Sequence, residues 1–273
     1  MLGAIIGDIA GSRFEWNNCK SKDFELRTDR CSVTDDSVMT LAVARAILVS
    51  RERNEDLAQE AVFFMQAFGR RYPNAGYGGK FSRWLRDRRP KPFNSYGNGA
   101  AMRVSPCGFA ASALEEAVSL AHTVTAVTHD HPEALKAAEA VASAIFLARA
   151  GKNLPEIRKY IEEKYYKIDF TLDSIRPDYT FDVTCQGSVP QAFEAFFESI
   201  GFEDAIRNAI SIGGDSDTIA AITGGMAEAY YGIPEELRRH ALDFLDYAQT
   251  EVLNAFEAEF GIVSEKNAPP AGI

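Results

Sequence analysis

The chain has 273 residues, 46% hydrophobic and 25% charged, an ordinary globular balance with enough length to bury a sizeable core. Its 29 Lys and Arg against 39 Asp and Glu give a formal net charge of −10, which argues against general nucleic-acid binding but leaves room for a local basic pocket. The four cysteines, Cys19, Cys31, Cys107 and Cys185, form no C-x-x-C pair and no zinc template with the histidines, so free thiols in a reducing compartment are expected.

The stretch from Met1 to Asp8 is apolar but lacks a basic leader and carries an acid, so it does not read as a signal peptide. No run approaches about 18 uncharged apolar residues, so no membrane span is expected and the protein is placed in the cytoplasm. Helical spacing first shows at Val38, Leu41, Ala42 and Val49, and a second helix is predicted over 54–70. Residues 72–98 are irregular and rich in glycine and proline. Helices follow at 112–123, around Val141, Ala144, Ile145 and Ala148, and at 153–165. The segment 166–187 reads as a long ordered connection, because the alternation of Ile168, Phe170 and Leu172 is too short to make a sheet. Further helices are predicted over 188–199, 202–211, 217–231 and 235–258. Proline followed by acids marks two helix starts, at His131-Pro132-Glu133 and Ile233-Pro234-Glu235-Glu236. The expected fold is all-α, one domain over 1–273 acting as a monomer, with about the last ten residues a loose tail.

Two acidic clusters each stand immediately before an apolar helix: Thr34-Asp35-Asp36 and Asp215-Ser216-Asp217-Thr218. Helix capping alone would account for one Asp or Thr at each start. Two carboxylates and a hydroxyl crowded there repel one another unless a cation or hydrogen bonds compensate. All-oxygen ligands suit hard ions such as Mg²⁺ or Mn²⁺ rather than zinc, and four carboxylates fit two divalent ions. Gly213-Gly214 before Asp215 lets backbone approach closely, and Gly224-Gly225 lets another element pack near the following helix. Three more segments could complete a site: Gly7-Asp8-Ile9-Ala10-Gly11 with Glu15, the small-residue loop from Tyr96 to Arg103, and Thr128-His129-Asp130-His131-Pro132. The basic run from Lys80 to Lys91 reads as a solvated helix face with Phe81, Trp84 and Leu85 packed inward, against the alternative that it receives a pyrophosphate or an acidic target.

In this order, Gly-Asp-Ile-Ala-Gly with Glu15, Thr-Asp-Asp-Ser, Gly-Asn-Gly-Ala-Ala-Met-Arg, Thr-His and Gly-Gly-Asp-Ser-Asp-Thr resemble the ADP-ribosylglycohydrolase family. The resemblance implies an orthogonal multi-helix bundle that binds two Mg²⁺ or Mn²⁺ ions and removes ADP-ribose from modified proteins or small molecules. It implies Thr34, Asp35, Asp36, Asp215, Asp217 and Thr218 as metal ligands, and Glu15 as the catalytic carboxylate. Gly78, Gly97, Asn98, Gly99, Met102 and His129 would line the ADP-ribose cleft. Ser216 stands where relatives often have Thr, and Ser12-Arg13-Phe14 is a bulkier lead-in to Glu15 than the pattern expects. ADP-ribosyl-arginine is the leading substrate, with ADP-ribosyl-serine or O-acetyl-ADP-ribose as alternatives. Residues facing the leaving group are expected on the loops near 16–33 and 72–95. A two-metal nucleotide phosphohydrolase and a non-catalytic relative are the competing readings.

Overall fold

The computed structural model describes residues 1–53 and 56–261; the predicted loose tail and the first two residues of the helix predicted over 54–70 lie outside them. Among the described residues there are fourteen α-helices, one short 3₁₀ turn at Asn98–Ala100 and no strand, only an isolated bridge between Gly97 and Thr184. The all-α expectation is met.

At the centre lies a helix that periodicity does not reveal. α1 (Leu2–Ser12) is buried from Leu2 through Gly11, so it has no polar face to betray it. It crosses α12 (Ser216–Tyr231), itself buried from Ser216 to Ala229, in antiparallel fashion. Gly3 lies against Gly224, Gly7 against Ala220, and Gly11 against Asp217. This four-residue glycine spacing keeps one face of α1 bare, and the two backbones meet without side chains between them. A methyl group on Gly7 would overlap the Ala220 carbonyl, and one on Gly11 would lie 2.5 Å from the Asp217 Cα.

The remaining helices enclose this pair. α2 (Asp35–Arg53) and α3 (Leu57–Arg71) pack together, α3 opening at Asp56, whose carboxylate accepts from the Ala58 and Gln59 N–H groups. α4 (Gly79–Trp84) lies inside the glycine- and proline-rich stretch, with Phe81, Trp84 and Leu85 buried as the basic run predicts. α5 (Ser105–Ala110), α6 (Leu114–Ala126) and α7 (Pro132–Arg149) form a second layer, and α8 (Leu154–Lys164) packs on α7. The predicted connection 166–187 holds one helical turn, α9 (Leu172–Ile175), and ends where Thr184 caps α10 (Cys185–Phe197). Ile168 and Leu172 are buried there without pairing as strand. α10 and α11 (Phe202–Ser211) both pack on α12.

The single helix predicted over 235–258 is two, α13 (Glu235–Leu242) and α14 (Tyr247–Phe260). The break is a capping box: the Asp246 carboxylate accepts from Gln249 N at 2.9 Å while Gln249 Oε1 accepts from Asp246 N at 3.0 Å. The buried apolar side chains form one continuous cluster, and all four cysteines are free.

The α1–α12 crossing makes the Gly7 position intolerant of any side chain. Gly7→Ala should lower stability by about 3 kcal/mol, the upper range for forcing a methyl into a packed interior. Urea unfolding checks this, and a midpoint equal to that of the unaltered chain would disprove the close crossing.

Candidate active site

Asp8 sits in the middle of α1 and is fully buried. Its Oδ2 accepts from the Thr34 and Ser37 backbone N–H groups, each at 3.0 Å, and its Oδ1 accepts from the Thr34 hydroxyl at 2.7 Å. The Ser37 hydroxyl donates to the same carboxylate. Asp8 therefore caps α2 from another helix, supplying the acceptor that the free N–H groups of a helix start require. Asp35 and Asp36 are released from that duty. Asp36 Oδ2 lies 3.3 Å from the Thr218 hydroxyl, whereas its Oδ1 is buried with no hydrogen-bond partner.

The other half of the site begins at the end of α11. Gly213 (φ +73°) and Gly214 (φ +76°) both adopt left-handed backbone, which glycine takes without the strain a side chain would add. The chain thereby reverses into Asp215 and α12. Asp215 precedes the helix yet makes no capping hydrogen bond; its Oδ2 accepts instead from Asn98 Nδ2 at 2.7 Å. Capping alone does not account for either cluster. Asn98 also donates to the Ser188 hydroxyl at 3.1 Å, and its backbone N–H donates to Val183 O at 2.8 Å, which fixes the small-residue loop on the connection before α10.

Glu15 arrives from the loop after α1. Carboxylate oxygens of Glu15, Asp215 and Asp217 lie within 4.8 Å of one another. The Glu15 loop is tied to the Asp215 loop by Asn18, whose Nδ2 donates to Phe14 O, Glu15 O and Gly214 O at 2.8, 3.0 and 2.9 Å. Asn18 Oδ1 in turn accepts from Gly214 N at 2.8 Å. Lys20 adds a second tie, donating to Ile212 O and Tyr179 O, both at 2.5 Å.

These groups line a cleft of about 400 Å³. Glu15, Asp35, Asp36, Asp215, Asp217 and Thr218 face it, and so do Gly78, Gly97, Asn98, Gly99, Met102 and His129. Thr34 is the one predicted site residue absent from the wall; its hydroxyl donates to Asp8 from behind it. The basic run reaches the cleft only through Lys80 and Phe81. Sequence reasoning assigns no role to Arg103, which is fully buried, lines the cleft and donates to the Thr128 hydroxyl at 2.5 Å. A lone arginine closing a run of small apolar residues is the available signal. Arg103 also lies 3.3 Å from His129 Nδ1. A guanidinium can only donate, so Nδ1 accepts and the ring proton sits on Nε2. Burial, then the Arg103 charge, hold the His129 pKa well below its ordinary value.

Burial raises the carboxyl groups of Asp36 and Asp217 well above the usual range, and neighbouring acids add to the effect. Asp35 is pushed to about 7 by burial and then by Asp8, and Glu15 to about 7 by burial and then by Asp215. Buried carboxylates that repel one another, with one oxygen unpartnered, are the setting in which a hard divalent cation is favoured. The donor set fits such an ion.

The sequence profile of a family described as ADP-ribosylglycohydrolase matches residues 1–266. The chain belongs to the ADP-ribosylglycohydrolase family. Within that family it is similar to human ADP-ribosylhydrolase ARH3, 24% identical with 93% of this chain and 90% of the relative covered. The Bos taurus ADP-ribosylhydrolase ARH3 is 25% identical with coverage of 93% and 89%. An uncharacterized Archaeoglobus fulgidus protein is 31% identical over half of each chain. The fold matches a solved structure titled ADP-ribosylglycohydrolase-related protein complex with a TM-score of 0.69 at 23% identity, covering 96% of this chain and 95% of that one. As an ADP-ribosylglycohydrolase, the chain is a hydrolase acting on glycosidic bonds of ADP-ribose, and its substrates are ADP-ribosylated. Among the described residues no helix is long and apolar enough to cross a membrane.

The cap and the buried imidazole can each be checked in solution. Asp8→Asn replaces half of an acceptor pair by donors facing Thr34 and Ser37, and should destabilise the chain by roughly 2 kcal/mol; thermal unfolding unchanged from the unaltered chain would refute the capping role. His129 is held neutral in the fold, while the unfolded chain protonates it near 6.5. Its contribution to stability is therefore complete above that pH and is lost as pH falls from the unfolded toward the folded value. Nitrogen shifts of the imidazole in NMR should show a neutral, Nε2-protonated ring at a pH about one unit below 6.5; a protonated ring there would contradict it.

Proposed function

We propose that the chain hydrolyses the bond between the distal ribose of ADP-ribose and a modified arginine, using two divalent cations, Mg²⁺ or Mn²⁺. Asp35, Asp36, Asp215, Asp217 and Thr218 would hold the ions from the cleft wall, and Thr34, whose hydroxyl donates to Asp8 and keeps its oxygen lone pairs, would be the sixth ligand of the set. The observation that carries the reading is the meeting of Glu15, Asp215 and Asp217 within 4.8 Å on the wall of a cleft whose other residues suit a sugar diphosphate.

Ions held there would supply Lewis acidity to a sugar diol and a lowered pKa to a water beside it. The protein's own groups do the rest. Glu15 accepts the proton of the attacking water, or hands one to the departing group, the work of a carboxylate beside a glycosidic bond. Asn98 fixes Asp215. Gly78, Gly97 and Gly99 present backbone close to the diphosphate, His129 offers its Nε2 proton, and Met102 fills the wall between them. Lys80 and Arg103 supply the local positive charge that the acidic chain otherwise lacks.

An arginine leaving group fits the charge. Glu15 stands beside Asp215 and Asp217 at the scissile bond, while the basic side chains Lys80 and Arg103 are not among these three, so at that point a cationic guanidinium is favoured over neutral serine or acetyl. The reading is tested by a wild-type assay of ADP-ribosyl-arginine, ADP-ribosyl-serine and O-acetyl-ADP-ribose with each metal. Free ADP-ribose is the expected product, and AMP or phosphate would point to a nucleotide phosphohydrolase instead. Asp217→Ala should weaken Mn²⁺ binding at least tenfold by calorimetry, about the loss of one charged ligand, whereas Glu15→Gln should keep most of the metal affinity and lose turnover. Unaltered metal affinity in the first variant, or unaltered turnover in the second, would remove that residue from its role.

A further inference from the structure

The cleft carries aromatic rings in two places. Phe93 and Phe81 surround His129, with ring centroids 5.3 and 6.4 Å from the imidazole. The second place is beside Glu15, where Trp16 stacks on Phe181 with centroids 4.9 Å apart and planes at 27°. Both of these rings line the cleft, yet Trp16 is 79% exposed and Phe181 40% exposed. Trp16 follows Glu15 directly in the chain, and its indole restrains the rise of the Glu15 carboxyl, so the ring stands next to the reacting group. Phe181 comes from the connection before α10, two residues from Val183, whose carbonyl accepts from Asn98. The stack thus joins the Glu15 loop to the opposite wall at the mouth of the cleft.

We infer that the Trp16–Phe181 stack is the platform for the leaving group, and that it takes the guanidinium of the ADP-ribosylated arginine. An ADP-ribosyl group offers a single aromatic base, which one ring cluster satisfies. The other adjoins the carboxylate at the scissile bond, where only the departing group has a planar, cationic surface to offer. Indole is the best of the aromatic faces for a cation, and guanidinium stacks flat on it. Exposed rings that adjoin one another at the rim of a cleft, rather than scattered singly, mark a surface for a ligand. The inference rests on the hydrolase reading above and deepens it by naming what selects the substrate.

The test compares substrates with the same ADP-ribose and different leaving groups. Phe181→Ala and Trp16→Ala should lower kcat/KM for ADP-ribosyl-arginine about tenfold, the worth of one desolvated cation–π contact. Trp16→Phe, which keeps a ring but loses the indole N–H, should retain most of that efficiency, separating stacking from any effect of the N–H on Glu15. Calorimetric affinity for free ADP-ribose should stay within about twofold in all three variants, since the product lacks the leaving group. Loss of ADP-ribose affinity in parallel with kcat/KM would make the stack a base platform, and unchanged turnover of the arginine substrate would make it plain surface; either overturns the inference. A wild-type chain that releases ADP-ribose from the serine substrate but not the arginine one overturns it as well. A wild-type chain releasing ADP-ribose from none of the substrates sinks the hydrolase reading itself, and so is told apart from failure of the platform alone.

Discussion

Everything in the cleft depends on how closely α1 approaches α12. Two helices with ordinary side chains sit about 8–10 Å apart; the bare face of Gly3, Gly7 and Gly11 allows backbone contact instead. Because the pair is antiparallel, the end of α1 lies beside the beginning of α12. The loop carrying Glu15 is delivered to Asp215 and Asp217, while Asp8, three residues before Gly11, faces the start of α2. A single packing constraint therefore gathers groups from the first 40 residues and from beyond residue 210. The burial needed to do so also sets their electrostatics, since each carboxyl group in the cluster is raised chiefly by loss of water.

Asp8 shows how the chain separates holding from reacting. It satisfies the start of α2 from within the core, so Asp35 and Asp36 need not turn back onto their own backbone. Asn98 acts on Asp215 directly instead, donating to its Oδ2. The oxygen atoms left over are those facing the cleft, including the unpartnered Oδ1 of Asp36. A carboxylate oxygen buried without a partner is costly, so Asp36 Oδ1, set among other buried carboxylates, is a signature of a site prepared for something the protein itself does not supply.

Much of this is legible in the order of residues. The acidic clusters, the Asn98–Gly99 loop and His129 stand out as polar or glycine-rich breaks between apolar helices, and they converge on one cleft. The amphipathic helices are legible for the same reason, their surface face being polar. α1 is not, because three glycines in its 11 residues weaken helix propensity and burial leaves it no polar face to read. The break between α13 and α14 escapes notice because Asp246 and Gln249 look like ordinary helix-surface residues until their reciprocal hydrogen bonds are drawn. Asp8 stands out in the sequence without a role, since nothing in the local pattern says that its partners lie 26 and 29 residues further on. That the Thr34 hydroxyl donates to Asp8, from a place behind the cleft wall, is likewise invisible in the sequence. The Trp16–Phe181 stack brings together residues from distant parts of the chain, a pairing that only the fold supplies.

Asn18, with one side chain, grips the carbonyls behind Glu15 and both backbone polar groups of Gly214. The loop bearing the reacting carboxylate and the turn bearing Asp215 are thereby moored to a single point, and neither can drift without dragging the other. Trp16, two residues before that mooring, points away to the rim and takes no part in it. Substitution at the rim can proceed while the anchorage stands, so the same scaffold can be retuned toward a different modified residue by exchanging its outer rings. A loop transplant that omits Asn18 would instead set both halves of the centre adrift together.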